Sequence, residues 1–251
     1  LSDIQVINTG TIDINAGNYA GYSNFGMKLD GVVTNDQTKK IISNAGTINI
    51  SNGAGIAVVN GSVGEGFVEN SGTITVTNGT GVYLAPLSTS AKLENAVNAT
   101  AGTIDITSGA GMYALGGRND ITRVINNGKI SVSGGMGMVA SGKNAEAVNN
   151  SSNFKIEAST GGFYAHNGGK VINNANLTVN STGVSLFNID ANSAGESTGN
   201  IIMNDANSVA VYNKGKFIST GDINITGSNS IGVYSDGTDN TNIKADIIKL
   251  D

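Results

Sequence analysis

Along most of the chain, two apolar residues recur with one polar residue between them. Residues 70–84 show the unit: Asn-Ser-Gly-Thr-Ile-Thr-Val-Thr-Asn-Gly-Thr-Gly-Val-Tyr-Leu. Ile74 and Val76 fall on one face of an extended strand, and Thr73, Thr75 and Thr77 on the other, as a period of two requires. The same pair follows an anchor residue at Gly10, Gly46, Gly72, Gly102, Gly128, Ser152, Ala175, Gly199 and Gly221. By subtraction the anchors lie 36, 26, 30, 26, 24, 23, 24 and 22 residues apart. A period in the twenties with variable excess is the signature of a solenoid that carries loops on some corners.

A second glycine recurs at Gly55, Gly81, Gly111, Gly137 and Gly162, each followed by another alternating pair, from Ile56/Val58 and Val82/Leu84 to Val184/Leu186 and Val209/Val211. A third apolar pair, such as Val124-Ile125 or Val171-Ile172, precedes the next anchor. The pairs are rich in β-branched residues, which favour strands. Asn52-Gly53, Asn78-Gly79, Ser108-Gly109 and Gly134-Gly135 supply the positive φ of a sharp corner. A helix is excluded by the i, i+2 spacing and by glycines that would each cost about 1 kcal/mol relative to alanine. One repeat cannot bury its own apolar face, but copies stacked about 4.8 Å apart bury a continuous core. The predicted fold is therefore a right-handed single-stranded parallel β-helix, with the hand taken from the crossover rule. It has about nine coils of three short strands each, in one unit over residues 1–251, and forms a rod of roughly 40 Å. Insertions are predicted at 15–25, 30–40, 59–66, 86–95, 116–123, 188–198 and 235–241.

Composition narrows the functional classes. The chain has 36 glycines and one proline without a Gly-X-Y period, which excludes collagen. Charged residues make up 13%, the net charge is −5 and no basic patch is visible, so nucleic acid is not an expected partner. No apolar run approaches the roughly 20 residues of a membrane helix. Cysteine is absent, which excludes disulfides and thiolate metal sites and suits export in an unfolded state.

Three patterns mark candidate positions. Asn8, Asn44, Asn70, Asn126, Asn150 and Asn173 stand two residues before an anchor, with Thr100, Ser197 and Ser219 in the other repeats, and predict an amide ladder at one corner. The outward position of the second strand reads Ala57, Tyr83, Tyr113, Val139, Tyr164, Ser185, Ala210 and Tyr234. The tyrosines Tyr83, Tyr113, Tyr164 and Tyr234 predict an exposed stripe, whose flat faces and polar tips suit a sugar ring or a protein partner. The insertions are the third, since loops on a rigid scaffold commonly bind ligands. The loop at 116–123 holds both arginines, Arg118 and Arg123, which suit an acidic group on a glycan.

Catalytic and metal signals are weaker. His166 is the only histidine, and no neighbour in sequence supplies the rest of a Ser-His-Asp triad. Asp13 and Asp105 share a strand position with Asn49, Thr75 and Ser131, so the carboxylate cluster of a β-helix lyase or hydrolase does not emerge. Gly116-Gly-Arg-Asn-Asp120 lacks the third glycine of the calcium nonapeptide, and Asp236-Gly-Thr-Asp239 reads as a turn. No cofactor, metal or enzymatic activity is expected.

The segments Asn44-Ala-Gly-Thr-Ile-Asn-Ile, Asn70-Ser-Gly-Thr-Ile-Thr-Val and Asn126-Asn-Gly-Lys-Ile-Ser-Val resemble the passenger domains of bacterial autotransporters. The Asn/Lys/Ile-rich wording is most similar to the very large fusobacterial-type autotransporter adhesins. The likeness covers nearly the whole chain, although Ser152 and Ala175 replace the anchor glycine in later repeats. It implies a secretion signal upstream and an outer-membrane β-barrel downstream, the only membrane attachment expected. The 251 residues would then be a monomeric passenger segment, exported to the bacterial surface, that adheres to a host or microbial surface protein or glycan. A carbohydrate-active β-helix enzyme and a pore-forming or vacuolating toxin passenger remain open. An ice-binding solenoid would need a flat threonine array, and the row Thr11, Thr47, Thr73, Thr103 ends at Lys129.

Overall fold

The computed structural model describes residues 5–15, 24–30, 35–59, 65–85, 95–116, 121–158, 160–236 and 248–250. Among them every regular element is a β-strand, and paired strands run parallel in a β-solenoid. A nine-stranded sheet holds the strands that precede the nine anchors, from Val6–Asn8 to Lys216–Ser219. A twelve-stranded sheet holds the strands after the second glycines and most of those after the anchors. The later post-anchor strands Leu177–Val179, Ile201–Met203, Ile223–Ile225 and Ile248–Leu250 form a sheet of their own.

The predicted break between the first two strands of a repeat is absent in three coils. Thr47–Val59, Thr73–Ala85 and Thr103–Leu115 each run through the corner as one 13-residue strand. Pairing persists there, with Asn52 opposite Asn78 and Gly53 opposite Gly79. The corner bends through positive φ at Gly53, Gly79, Gly109 and Gly135. A Cβ on Gly79 would also overlap the carbonyl oxygen of Gly53 one coil away. The second glycines have a different cause: they face inward, and a Cβ on Gly81 would strike Ile104 Cγ2 of the next coil.

Like residues stack on like through the core. Ile48, Ile74, Ile104 and Ile130 are fully buried in one register row. In later coils rings take over: Phe154 stacks on Phe163 at 4.8 Å between centroids, Phe163 on Phe187 at 4.7 Å, and Phe217 meets Phe187 edge-on at 5.1 Å. Phe217 fits because its register partner Gly195 has no side chain, and a Cβ there would press on the Phe217 ring.

The pairs predicted at Val184/Leu186 and Val209/Val211 are shifted. Gly161 pairs with Ser185 and Ser185 with Val209, so Leu186 and Ala210 occupy the second-glycine position. The inward pairs are Phe187/Ile189 and Val211/Asn213. Stacking of Phe187 on Phe163 satisfies the large rings only in this register.

The asparagine ladder runs through Asn8, Asn44, Asn70, Asn98, Asn126, Asn149, Asn173 and Ser197. Each amide donates to the next side-chain oxygen at 2.7–3.1 Å. Asn98 and Asn149 thus replace the predicted Thr100 and Asn150. Register counts from the strand, and two extra residues between Asn98 and Gly102, and one between Asn149 and Ser152, offset the anchor. Asn150 belongs to an exposed outer ladder, donating to Asn127 at 2.9 Å and accepting from Asn174 at 2.8 Å. The buried amides also close their own corner, as when Gly128 N donates to Asn126 Oδ1 at 3.2 Å.

The predicted insertion at 188–198 does not leave the stack: it contains the strand Ala194–Ser197 of the nine-stranded sheet. The span 30–40 includes the start of the paired strand Asn35–Asn44. Residues 31–34, most of 15–25, 59–66, 86–95 and 235–241, and residues 117–120 of 116–123 lie outside the described residues.

Replacing Asn98 by alanine removes the acceptor of Asn70 and the donor to Asn126, both buried. At roughly 1–3 kcal/mol per unsatisfied buried group, the loss is expected to be about 3 kcal/mol. Asn150→Ala is expected to stay within about 0.5 kcal/mol, as for an exposed position. Equilibrium urea denaturation of the two variants checks the difference.

Candidate binding face

In each coil the strand after the anchor is the first arm, and the strand after the second-glycine position is the second arm. Outward residues of the second arm form two parallel columns along the rod. The first reads Lys28, Ala57, Tyr83, Tyr113, Val139, Tyr164, Asn188, Tyr212 and Tyr234. Tyr83, Tyr113, Tyr164 and Tyr234 therefore do share one column, joined by Tyr212. Asn188 and Tyr212 stand where Ser185 and Ala210 are predicted, because of the register shift described above. Sequence spacing from the second glycine misses Tyr212; spacing backward from the Asn213-x-Gly215 corner finds it.

Six coil steps separate Tyr83 from Tyr234, about 29 Å at the usual strand spacing. Tyr83 and Tyr113 approach to 5.4 Å between centroids, and Tyr212 and Tyr234 stack at 5.3 Å with an interplanar angle of 11°. Val139 is buried between Tyr113 and Tyr164 and fills the gap in the row. The first four tyrosines are half-buried, which fixes their rings, and Tyr234 is exposed. Ordered aromatic faces at one rung spacing suit an extended ligand lying along the axis.

The second column changes character along its length. It starts Asp30, Val59, Ala85 and Leu115 and continues Ser141, His166, Asp190, Lys214 and Asp236. Apolar residues thus flank Tyr83 and Tyr113, whereas ionisable ones flank Tyr164 and Tyr212. His166 lies flat on Tyr164, with centroids 4.7 Å apart and planes 10° apart. Tyr164 Oη donates to Asp190 Oδ2 at 2.7 Å. Burial first, and then the Asp190 hydrogen bond and charge, push the Tyr164 phenol up to about 12. Lys214 sits over the Tyr212 ring, with Nζ 5.5 Å from its centroid. The Tyr212 hydroxyl, ahead of Asp236 and Asp190, holds that ammonium above its ordinary value.

The register, continued by the Asp190 N–H donating to the Ala165 carbonyl, also brings Ser141, His166 and Asp190 into one column on three adjacent coils, a juxtaposition invisible in sequence. The hydrogen bonds of a nucleophilic triad are not made there. Asp190 is taken by Tyr164, and His166 Nδ1 lies 3.0 Å from Asn167 Nδ2. Asp13 and Asp105 are three coil steps apart on the first arm. Asp13 accepts from Asn49 at 2.7 Å and Asp105 from Lys129 at 3.4 Å. Among the described residues no three His, Asp or Glu side chains converge as a metal site.

Arg123 is not near the tyrosines. It lies on the nine-stranded sheet and is held by Glu146, with Nη2 2.6 Å and Nε 2.7 Å from Oε2. Arg118, residues 117–120 of the calcium-like segment and residues 237–239 lie outside the described residues. Comparison of the chain with family models, curated proteins and solved structures returned no match.

The sign of the Tyr164 shift sets a pH dependence. Its folded value of about 12 exceeds the ordinary 10.0, so the stabilising contribution is complete below pH 10 and lost as pH rises toward 12. In an absorbance titration of tyrosinate, Tyr164→Phe is expected to remove a transition near pH 12. Asp190→Asn is expected to move that transition downward but not to 10, because burial is the larger cause.

Proposed function

We propose that this chain is a rigid display rod that mediates adhesion, a segment of a bacterial autotransporter passenger exported to the cell surface. The carrying observation is the tyrosine column: five aromatic side chains share one register position on a stack whose coils are tied together by parallel ladders. Repetition of one residue position makes an extended contact surface from short-range order, which suits an elongated ligand better than a single small molecule. The sequence resemblance to autotransporter adhesins supports the surface location, and the monomeric, cofactor-free state belongs to the same reading. The partner is a protein or glycan on a host or microbial surface, gripped by aromatic faces.

Each ordered aromatic contact is worth about 0.5–1.5 kcal/mol. Replacing Tyr83 and Tyr113 together by serine is therefore expected to weaken binding about ten-fold or more. The test is a screen of glycans and cell-surface proteins with the purified chain, repeated with the double variant. The far-ultraviolet circular dichroism should be unchanged between the two proteins. Binding that survives the double substitution rules the tyrosine column out as the contact surface.

A further inference from the structure

A second surface, around the corner from the tyrosines, has a different chemistry. The turns that leave the second arm and enter the nine-stranded sheet enclose an open groove of about 460 Å³. Lys143, Lys170 and Lys216 line it, with Glu146 as the carboxylate in the wall. Glu146 is held by Arg123 at 2.6 Å, and Lys170 by Glu196 at 2.8 Å. Four cations thus meet two carboxylates. Lys143 and Lys216 are exposed and form no ion pair with a described residue. On a chain of net charge −5 this groove is locally positive.

The two unmatched lysines sit at opposite ends. The Lys143 turn packs against Gly168, and Gly168 faces Asn192 on the next coil. Lys170, Ala194 and Lys216 are successive register partners in the sheet. Lys143 and Lys216 are therefore three coil steps apart, about 14 Å, with Lys170 between them. Charges spread over that length do not converge on one phosphate ion. They suit a linear ligand with acidic groups at intervals. The floor consists of Gly, Ala and Ser residues, including Gly169, Ala194 and Gly215, so a ring can lie close to the backbone. The exposed Asn192 offers hydrogen bonds of the kind sugar hydroxyls take. No aromatic side chain lines the groove, which disfavours stacked nucleobases.

We propose that this corner groove binds a linear acidic polysaccharide, whose carboxylate or sulfate groups meet Lys143, Lys170 and Lys216 in turn. The site is separate from the tyrosine column and does not depend on its function.

The experiment is a calorimetric titration of the purified chain with oligogalacturonate and, in a second arm, with heparin-derived oligosaccharide. Neutral dextran, single-stranded DNA and polyglutamate serve as comparison ligands. Saturable binding in either acidic-sugar arm is expected, with the stronger arm identifying the acid group. Lys143→Gln combined with Lys216→Gln should weaken it about ten-fold without changing the thermal unfolding profile, and added salt should weaken it further. Tyr83→Ser with Tyr113→Ser should leave it unchanged, which separates this site from the tyrosine column. The proposal is overturned if neither acidic sugar binds, or if the double lysine variant binds as well as the parent. It is also overturned if DNA or polyglutamate binds as tightly as the sugars.

Discussion

Parallel pairing from coil to coil is the constraint on which the molecule depends. It places each strand residue over its counterpart one repeat away, so every side chain is judged by how well it tolerates its own kind as a neighbour. Isoleucine tolerates this well, and the row from Ile48 to Ile130 is completely buried. Asparagine tolerates it for another reason: its amide is donor at one end and acceptor at the other, so a column from Asn8 to Asn173 satisfies itself inside the rod. Charges of one sign do not. Ionised positions accordingly alternate, as in Arg123, Glu146 and Lys170 on one sheet and Asp190, Lys214 and Asp236 just past the ends of their strands.

The same pairing lets volume be traded between adjacent coils. A glycine facing inward at position 81 makes room for Ile104, and Gly195 makes room for Phe217. Where the glycine becomes Leu186, the adjacent Phe187 stacks on Phe163 of the previous coil, and where it becomes Ala210 the inward residue is again aliphatic, Val211. The stack can therefore change its core chemistry midway without losing its axis. The outer faces differ accordingly: a polar first arm, a second arm that carries the tyrosines, and a nine-stranded sheet with half-buried Val97, Ile125, Val148 and Ile172 in one outward row.

Separation of sites follows from the corners. A corner turns the chain from one face to the next within a few residues, so Tyr164 and Lys170 project from different surfaces though six positions apart. Ladders along the axis keep each surface continuous across coils. A contact surface built in this way can be long in one direction and narrow in the other.

Periodicity alone determined the strand character, the parallel stacking, the inward pairs of the first arm and the shared column of Tyr83, Tyr113 and Tyr164, since these depend only on spacing within a repeat. It also placed Thr11, Thr47, Thr73 and Thr103 in one row, as the ladders have them. Local spacing failed where the corner before an anchor gained residues or where the second glycine was exchanged. It named Thr100 and Asn150 in place of Asn98 and Asn149, and it missed Tyr212. Those choices were made by contacts one coil away: an amide that had to meet the next amide, and a phenyl ring that had to meet the next ring. The column of Ser141, His166 and Asp190 and the lysine groove likewise exist only in the stack, because their members lie on different coils and share no sequence window.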